Sequence, residues 1–197
     1  PVCRSDKFKK FFQEVRKEIP LEFSKCMRCH ALFRNPRPSV ENLTEYFNSG
    51  DFLDNPAKPQ EEDLGGSHYL DKIRFFLPPP ARLLEIGETG PGFLNAAKSA
   101  GYHVEGAGIS DTLALQVMGR YGIKSYIKGM EEIDLPESLF DVVCSFGGIT
   151  SWQDPRRALR NISRLLSSGG LFCFNYSDYR NPAARLQRKN YFGLSHA

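Results

Sequence analysis

Short apolar runs alternating with helix-period segments predict an α/β fold: a mostly parallel sheet with helices on both faces, behind a small cysteine-bearing N-terminal segment. Three observations carry this expectation. From residue 82 onward five apolar runs are separated by helical stretches, the order that right-handed crossovers between parallel strands produce. The first run ends in a Gly-containing turn, Glu85-Ile86-Gly87-Glu88-Thr89-Gly90-Pro91-Gly92, where strand passes to helix. Residues 1–38, by contrast, are rich in Lys and Arg, with isolated aromatics and the cysteines Cys3, Cys26 and Cys29.

The elements follow in order. Asn35-Pro36-Arg37-Pro38 closes the N-terminal segment, because neither proline has an N–H with which to continue a regular element. Ser39 caps a helix over about 40–48, with Leu43, Tyr46 and Phe47 on one face. Residues 49–66, with Gly50, Pro56, Pro59 and Gly65-Gly66, read as a linker. A second helix over about 67–76 sets Leu70, Ile73 and Leu77 at helical spacing, and Pro78-Pro79-Pro80 ends it. Arg82–Gly87 is short and apolar enough to be a buried strand, and a helix begins near Phe93 and stops at Gly101. His103–Ile109 gives the second strand, and Ser110 or Asp111 caps a helix carrying Leu113, Val117 and Met118. Ile123–Ile127 is the third strand and Phe140–Phe146 the fourth. A helix over Pro155–Leu166 is broken by Gly169-Gly170, and Leu171–Tyr176 is the fifth strand.

Composition narrows the function classes. The 197 residues suffice for one domain and a small appendage, and 41% hydrophobic with 25% charged residues is ordinary for a globular protein. No apolar run approaches the ~18 residues of a membrane span, and no signal peptide opens the chain, which favours the cytoplasm. A net charge of +3 is too small to argue for nucleic acid. Five cysteines, an odd number, argue against a fully paired disulfide framework, and Cys144 and Cys173 lie in strand-like runs as core cysteines of a reducing compartment.

In a parallel sheet the ligand crevice lies beyond the carboxyl ends of the strands, which is where the turn after Ile86 falls. Its spacing, Gly87-x-x-Gly90-x-Gly92, departs from the dinucleotide order G-x-G-x-x-G. A tight turn with no ligand is the plainer reading of such a loop taken alone.

The loop does not stand alone. Leu84-Glu85-Ile86-Gly87 with Phe93-Leu94 and Ala96-Ala97-Lys98-Ser99-Ala100-Gly101-Tyr102, then Phe140-Asp141-Val142-Val143, Asp154-Pro155, Leu159, Arg164-Leu165-Leu166 and Gly169-Gly170, resemble class I S-adenosylmethionine-dependent methyltransferases. Cys26-Met27-Arg28-Cys29 followed by Asn35-Pro36-Arg37-Pro38 resembles the subset with an N-terminal zinc ribbon. The resemblance implies a Rossmann-like domain over 81–197, a helical linker over 39–80 and a zinc-ribbon-like segment over 1–38. It implies S-adenosylmethionine held by Glu85, Gly87, Thr89, Gly90, Gly92, Gly108, Ile109, Met130 and Phe146, and a small-molecule methyl acceptor such as a sugar or other metabolite. It further implies structural zinc on Cys3, Cys26 and Cys29, with His30 as an alternative fourth ligand. Pro1-Val2-Cys3 reads as the tail of a Cys-Pro-Val-Cys pair whose first member precedes the sequence. Two closing strands are expected beyond Ala197, since strand five would otherwise present an open edge.

The chain departs from the family's pattern around the pocket. Thr89 and Pro91 stand where the second and third glycines fall, and Gly108 stands where an acidic residue usually bonds the ribose hydroxyls. Asp111 lies close enough to compensate, but at a helix start it serves equally as a cap. Gly147 and Thr150-Ser151 replace the acidic residue and the Glu-His pair after strand four, so a general base is missing there. Two readings stay open: an enzyme that works by positioning, or a non-catalytic methyltransferase-like scaffold that has lost its cofactor. Arg156, Arg157, Arg160 and Arg164, with Arg180, Arg185, Arg188 and Lys189 after strand five, read as a solvated face and tail, or as a grip on an acidic substrate. His196 resembles a position near the substrate in relatives.

Overall fold

A computed structural model describes residues 3–16, 19–49, 65–87, 91–176, 178, 180 and 182. Most of the 49–66 linker, Thr89 and Gly90 of the turn, Arg185, Arg188, Lys189 and His196 lie outside the described residues. Contacts group Val40–Asn175 into one compact unit, and Pro1–Ser39 with Tyr176–Ala197 into another.

The larger unit is an α/β layer structure. Helices α1 (Val40–Asn48) and α2 (Gly65–Phe76) precede β4 (Arg82–Ile86), α3 (Pro91–Ser99), β5 (His103–Gly108), α4 (Asp111–Tyr121), β6 (Lys124–Ile127), β7 (Phe140–Ser145), α5 (Pro155–Leu165) and β8 (Leu166–Phe174). The sheet order is β6-β5-β4-β7-β8, and every pairing is parallel. From β4 the chain steps outward to β5 and β6, then returns to lay β7 on β4's other side. The direction of winding therefore reverses between β4 and β7.

β4 and β7 occupy the middle of the sheet because their side chains are apolar on both faces. Leu84, Ile86 and Val143 face a core completed by Phe140, Ile162 and Leu165. Leu83, Val142 and Cys144 face the opposite core, with Leu70 and Ile73 of α2 and Phe93 and Ala97 of α3. Pro91 opens α3 two residues before the expected Phe93, its fixed φ suiting the first helical turn. Ser110, rather than Asp111, caps α4: its Oγ accepts from Leu113 N–H at 3.1 Å. The edge strand β6 carries Lys124 and Tyr126, and Tyr126 Oη–H donates to Glu105 Oε2 at 2.6 Å. A charged edge of this kind discourages pairing with another chain.

One strand differs from its sequence expectation. β8 begins at Leu166, directly after α5, not at Leu171. Phe140 pairs with Leu166 but Val142 with Leu171, so the intervening residues bulge opposite Asp141, and Gly169-Gly170 belong to that bulge rather than to a helix stop. Asp141 stitches the bulge down. Its Oδ1 accepts from Ser167 Oγ–H at 3.0 Å and its Oδ2 from Arg82 N–H at 2.9 Å, joining three strands through one carboxylate.

The smaller unit contains an antiparallel sheet in the order β1-β2-β3: β1 (Phe8–Arg16), β2 (Ile19–Cys26) and β3 (Leu32–Arg34). Phe23 and Cys26 are buried in it, and Phe8 meets Phe33 edge-on at 5.6 Å. No helix among the described residues is long and apolar enough to cross a membrane.

The Arg82 N–H hydrogen bond, helped by Ser167 and the Arg82 guanidinium, holds the Asp141 carboxyl below its ordinary range. A depressed carboxylate stabilises the fold above its unfolded value, about 3.9, and that contribution is lost as the pH falls through the lower folded value. Asp141→Asn should therefore cost on the order of 1 kcal/mol in urea unfolding at pH 7. The gap from the wild type should shrink once the pH drops below about 3.9.

Candidate functional site

The carboxyl ends of β4, β5 and β7 open at one end of the sheet, and the reversal of winding between β4 and β7 marks the ligand crevice of a parallel α/β sheet. β4 ends at Ile86, and Gly87 follows with φ +143°, a conformation that side chains rarely adopt. Gly87 N–H donates to Ala107 O at 2.9 Å, tying the turn to β5. On the other side Gly148 lies against the same point. A Cβ on Gly148 would fall 2.8 Å from Ile86 O and 3.2 Å from Gly87 Cα. The two strand ends meet backbone to backbone.

Beside this contact a cleft is lined by Glu85, Gly87, Gly106, Gly108, Ser110 and Ala114, among others. Its enclosed part is about 30 Å³, room for roughly two waters; it is a floor rather than a sealed chamber. Bareness of side chains shapes that floor: a Cβ on Gly106 would stand 3.0 Å from Ser125 Oγ and 3.4 Å from Leu94 Cδ1. Glu85 is buried at 2% exposure, with Oε1 3.6 Å from the space a Cβ on Gly87 would take. Ser110 is buried at 1%, and its Oγ–H donates to Asn48 Oδ1 of α1 at 2.6 Å.

The far side of the switch point is aromatic and hydrogen-bonded. Phe146 is stacked on Tyr69 of α2 at 4.3 Å and met edge-on by Phe93 at 4.9 Å. Asn175, just past β8, clamps the loop after β7: its Oδ1 accepts from Gly147 N–H at 2.7 Å, its N–H donates to Ser145 O at 3.3 Å, and its Nδ2 donates to Tyr69 Oη at 3.1 Å. His68, exposed, lies 5.9 Å from the Tyr69 ring. Ser145 is fully buried, and its Oγ has no hydrogen-bond partner among the described residues.

The residues expected from the sequence distribute unevenly over this end of the sheet. Glu85, Gly87 and Gly108 line the cleft. Ile109 joins Gly108 to Ser110, and Gly92 lies in the first turn of α3. Met130 is buried in the core with Trp152 and Ile162, and Phe146 in the opposite core. Asp111 is exposed at the start of α4, its Oδ1 accepting from Thr112 N–H at 2.7 Å. Asn48, Tyr69 and Asn175 were not expected. Helices 40–48 and 67–76 read as linker, and nothing in their spacing announces partners 62 and 106 residues away.

Comparison with known proteins then decides the family. The methyltransferase domain family matches residues 63–196. The chain belongs to it. No curated protein matches the sequence. Among solved structures, the PH0226 protein from Pyrococcus horikoshii aligns with TM-score 0.59 at 14% identity, over 71% of this chain and 71% of that one. The 4+2-cyclase SpnF aligns with TM-score 0.57 at 18% identity, over 70% of this chain and 60% of that one. An S-adenosylmethionine-dependent methyltransferase from Thermotoga maritima aligns with TM-score 0.51 at 24% identity, over 77% of this chain and 66% of that one. These likenesses show the fold. A cyclase among them illustrates that one fold hosts different reactions.

Apart from the methyltransferase fold, the smaller unit gathers three sulfurs. Cys3, Cys26 and Cys29 bring their Sγ atoms within 4.8 Å of one another. The Cys3 and Cys26 sulfurs lie 3.5 Å apart, at hydrogen-bond distance. The N–H groups of Cys29 and Arg28 turned toward its sulfur hold the Cys26 thiol down at about 6. Tetrahedral zinc with Zn–S near 2.3 Å needs sulfurs about 3.8 Å apart, a spacing at which these three could serve as three of its four ligands.

Gly148→Ala tests the strand-end contact. Because the new methyl meets backbone oxygen rather than a flexible side chain, destabilisation of about 1–3 kcal/mol is expected in denaturant unfolding. The emission of Trp152, the sole tryptophan, should report it from just beyond the loop. An unchanged midpoint would show that the contact is looser than described.

Proposed function

We propose that this chain binds S-adenosylmethionine over the carboxyl ends of β4 and β5 and supports methyl transfer to a small-molecule acceptor. The observation that carries the reading is the cleft at the carboxyl ends of β4 and β5, where Gly87, Gly106 and Gly108 line one wall beside a buried carboxylate, Glu85. Glycines at strand ends fit a ligand bound through close backbone approach. Glu85, Gly87, Gly108 and Ile109 would hold the cofactor from the strand ends, joined by Thr89, Gly90 and Gly92 of the glycine-containing sequence that follows β4. Met130 and Phe146 would contribute from behind, as packing that fixes the walls.

S-adenosylmethionine supplies a methyl group on a positively charged sulfur. The chain's part is to orient that methyl and the acceptor in line and to exclude water, which requires no general base when the acceptor is already nucleophilic. Tyr69 and Asn175 brace the loop after β7 on the acceptor side, and Tyr69 Oη–H and His68 are the polar groups there that an acceptor such as a sugar would meet. A non-catalytic scaffold is the second reading, favoured by Gly108 in the place of an acidic ribose contact.

Titration calorimetry with S-adenosylmethionine and S-adenosylhomocysteine separates the two. Saturable binding of both is expected, and absence of heat at high micromolar ligand would leave the scaffold standing. For the smaller unit, Cys3, Cys26 and Cys29 would hold a structural zinc whose binding adds directly to folding. About one zinc per chain should be found by metal analysis, with loss on Cys26→Ser; metal-free wild type of unchanged stability would remove the site. Free thiols at all five cysteines accord with a reducing compartment such as the cytoplasm.

A further inference from the structure

The polar groups at the end of β5 leave one role unfilled. The strand finishes Gly106-Ala107-Gly108, three residues without a polar side chain, although Gly106, Ala107 and Gly108 all line the cleft. A ligand hydroxyl lying over this end finds nothing on the strand to meet except backbone. The next polar side chain is Ser110, and its capacity is spent locally. Its Oγ accepts the Leu113 N–H that begins α4, and its single proton goes to Asn48 Oδ1. An O···O separation of 2.6 Å suits an O–H donor and is short for an amide N–H, so the carbonyl end of Asn48 faces Ser110.

That assignment leaves the Asn48 amide with two N–H donors. Neither has a partner among the described residues. Asn48 is half-buried, at the end of α1, held against a serine that lines the cleft. A donor ordered in this way, bonded to a residue that lines the cleft and partly removed from water, is poised for an acceptor oxygen.

We infer that Asn48 is a specificity residue of the nucleoside site: its Nδ2 donates to a ribose hydroxyl oxygen of the bound ligand, doing with a neutral amide from α1 what no side chain of β5 can do. The inference rests on the cofactor reading above. It concerns binding only, and it moves no proton in the reaction. It also gives α1 a role, since the helix delivers the amide across 62 residues of sequence to the Ser110 cap.

The test uses the full chain in titration calorimetry against S-adenosylhomocysteine and its 2′,3′-dideoxyribose counterpart. Asn48→Ala should weaken the first by about five- to tenfold, the worth of one or two ordered hydrogen bonds, and leave the second unchanged. Unaltered binding of the dideoxy ligand also shows that the variant is folded. Equal losses for both ligands, or no loss for either, would overturn the assignment while leaving the cofactor reading intact. If the wild type binds neither ligand, the cofactor reading itself falls, and the role of Asn48 falls with it.

Discussion

The architecture turns on a contact between two backbones that carry no side chains, Gly87 beyond β4 and Gly148 beyond β7. Parallel strands separated by a winding reversal diverge at their carboxyl ends, and the crevice between them is usually where a ligand enters. Here the ends touch at the base of that crevice. Gly87 meets the demand with a backbone angle of +143°, and Gly148 with the absence of an atom that Ile86 O would repel. Everything around it is arranged by consequence. The loop after β7 is caught beside it by Asn175 and Tyr69.

Polar atoms at this end are handled in two ways. Most are satisfied by partners far away in sequence: Ser110 by Asn48, Gly147 N–H by Asn175, Asn175 Nδ2 by Tyr69. Ser145 is the exception, with a hydroxyl closed off from water and lacking a partner among the described residues. A group in that condition costs about 1–3 kcal/mol. Its retention next to the switch point is a local expense of the kind that sites, rather than cores, tolerate. The arginines of α5 divide as well. Arg164 donates to Leu135 O at 2.6 Å and so belongs to the scaffold, while Arg157 and Arg160 remain exposed.

What the sequence disclosed and what it hid follow from the range of the interactions. β4 and β7 were legible because a strand covered on both faces is mostly apolar, and α4 was legible because a serine before an amphipathic run is a local cap. The true start of β8 was not. Gly169-Gly170 carry the same letters whether they stop a helix or line a bulge, and only Asp141, fastened to Arg82 and Ser167, decides between the two. Glu85, Gly87 and Gly108 could be placed by counting from the turn. Asn48 and Tyr69 could not, since helical spacing records which face a helix buries and is silent about which distant residue waits there.

That long reach has a consequence for how the protein comes into being. The clamp on the loop after β7 joins Tyr69 to Asn175, 106 residues apart, and its last member lies just past the final described strand. Contacts of such separation form late, because the chain between them must be ordered first. During synthesis the segments from α1 to α5 would leave the ribosome before the residue that completes their crevice. A chain that stops before Asn175 therefore carries most of the sheet but lacks the clamp on the loop after β7.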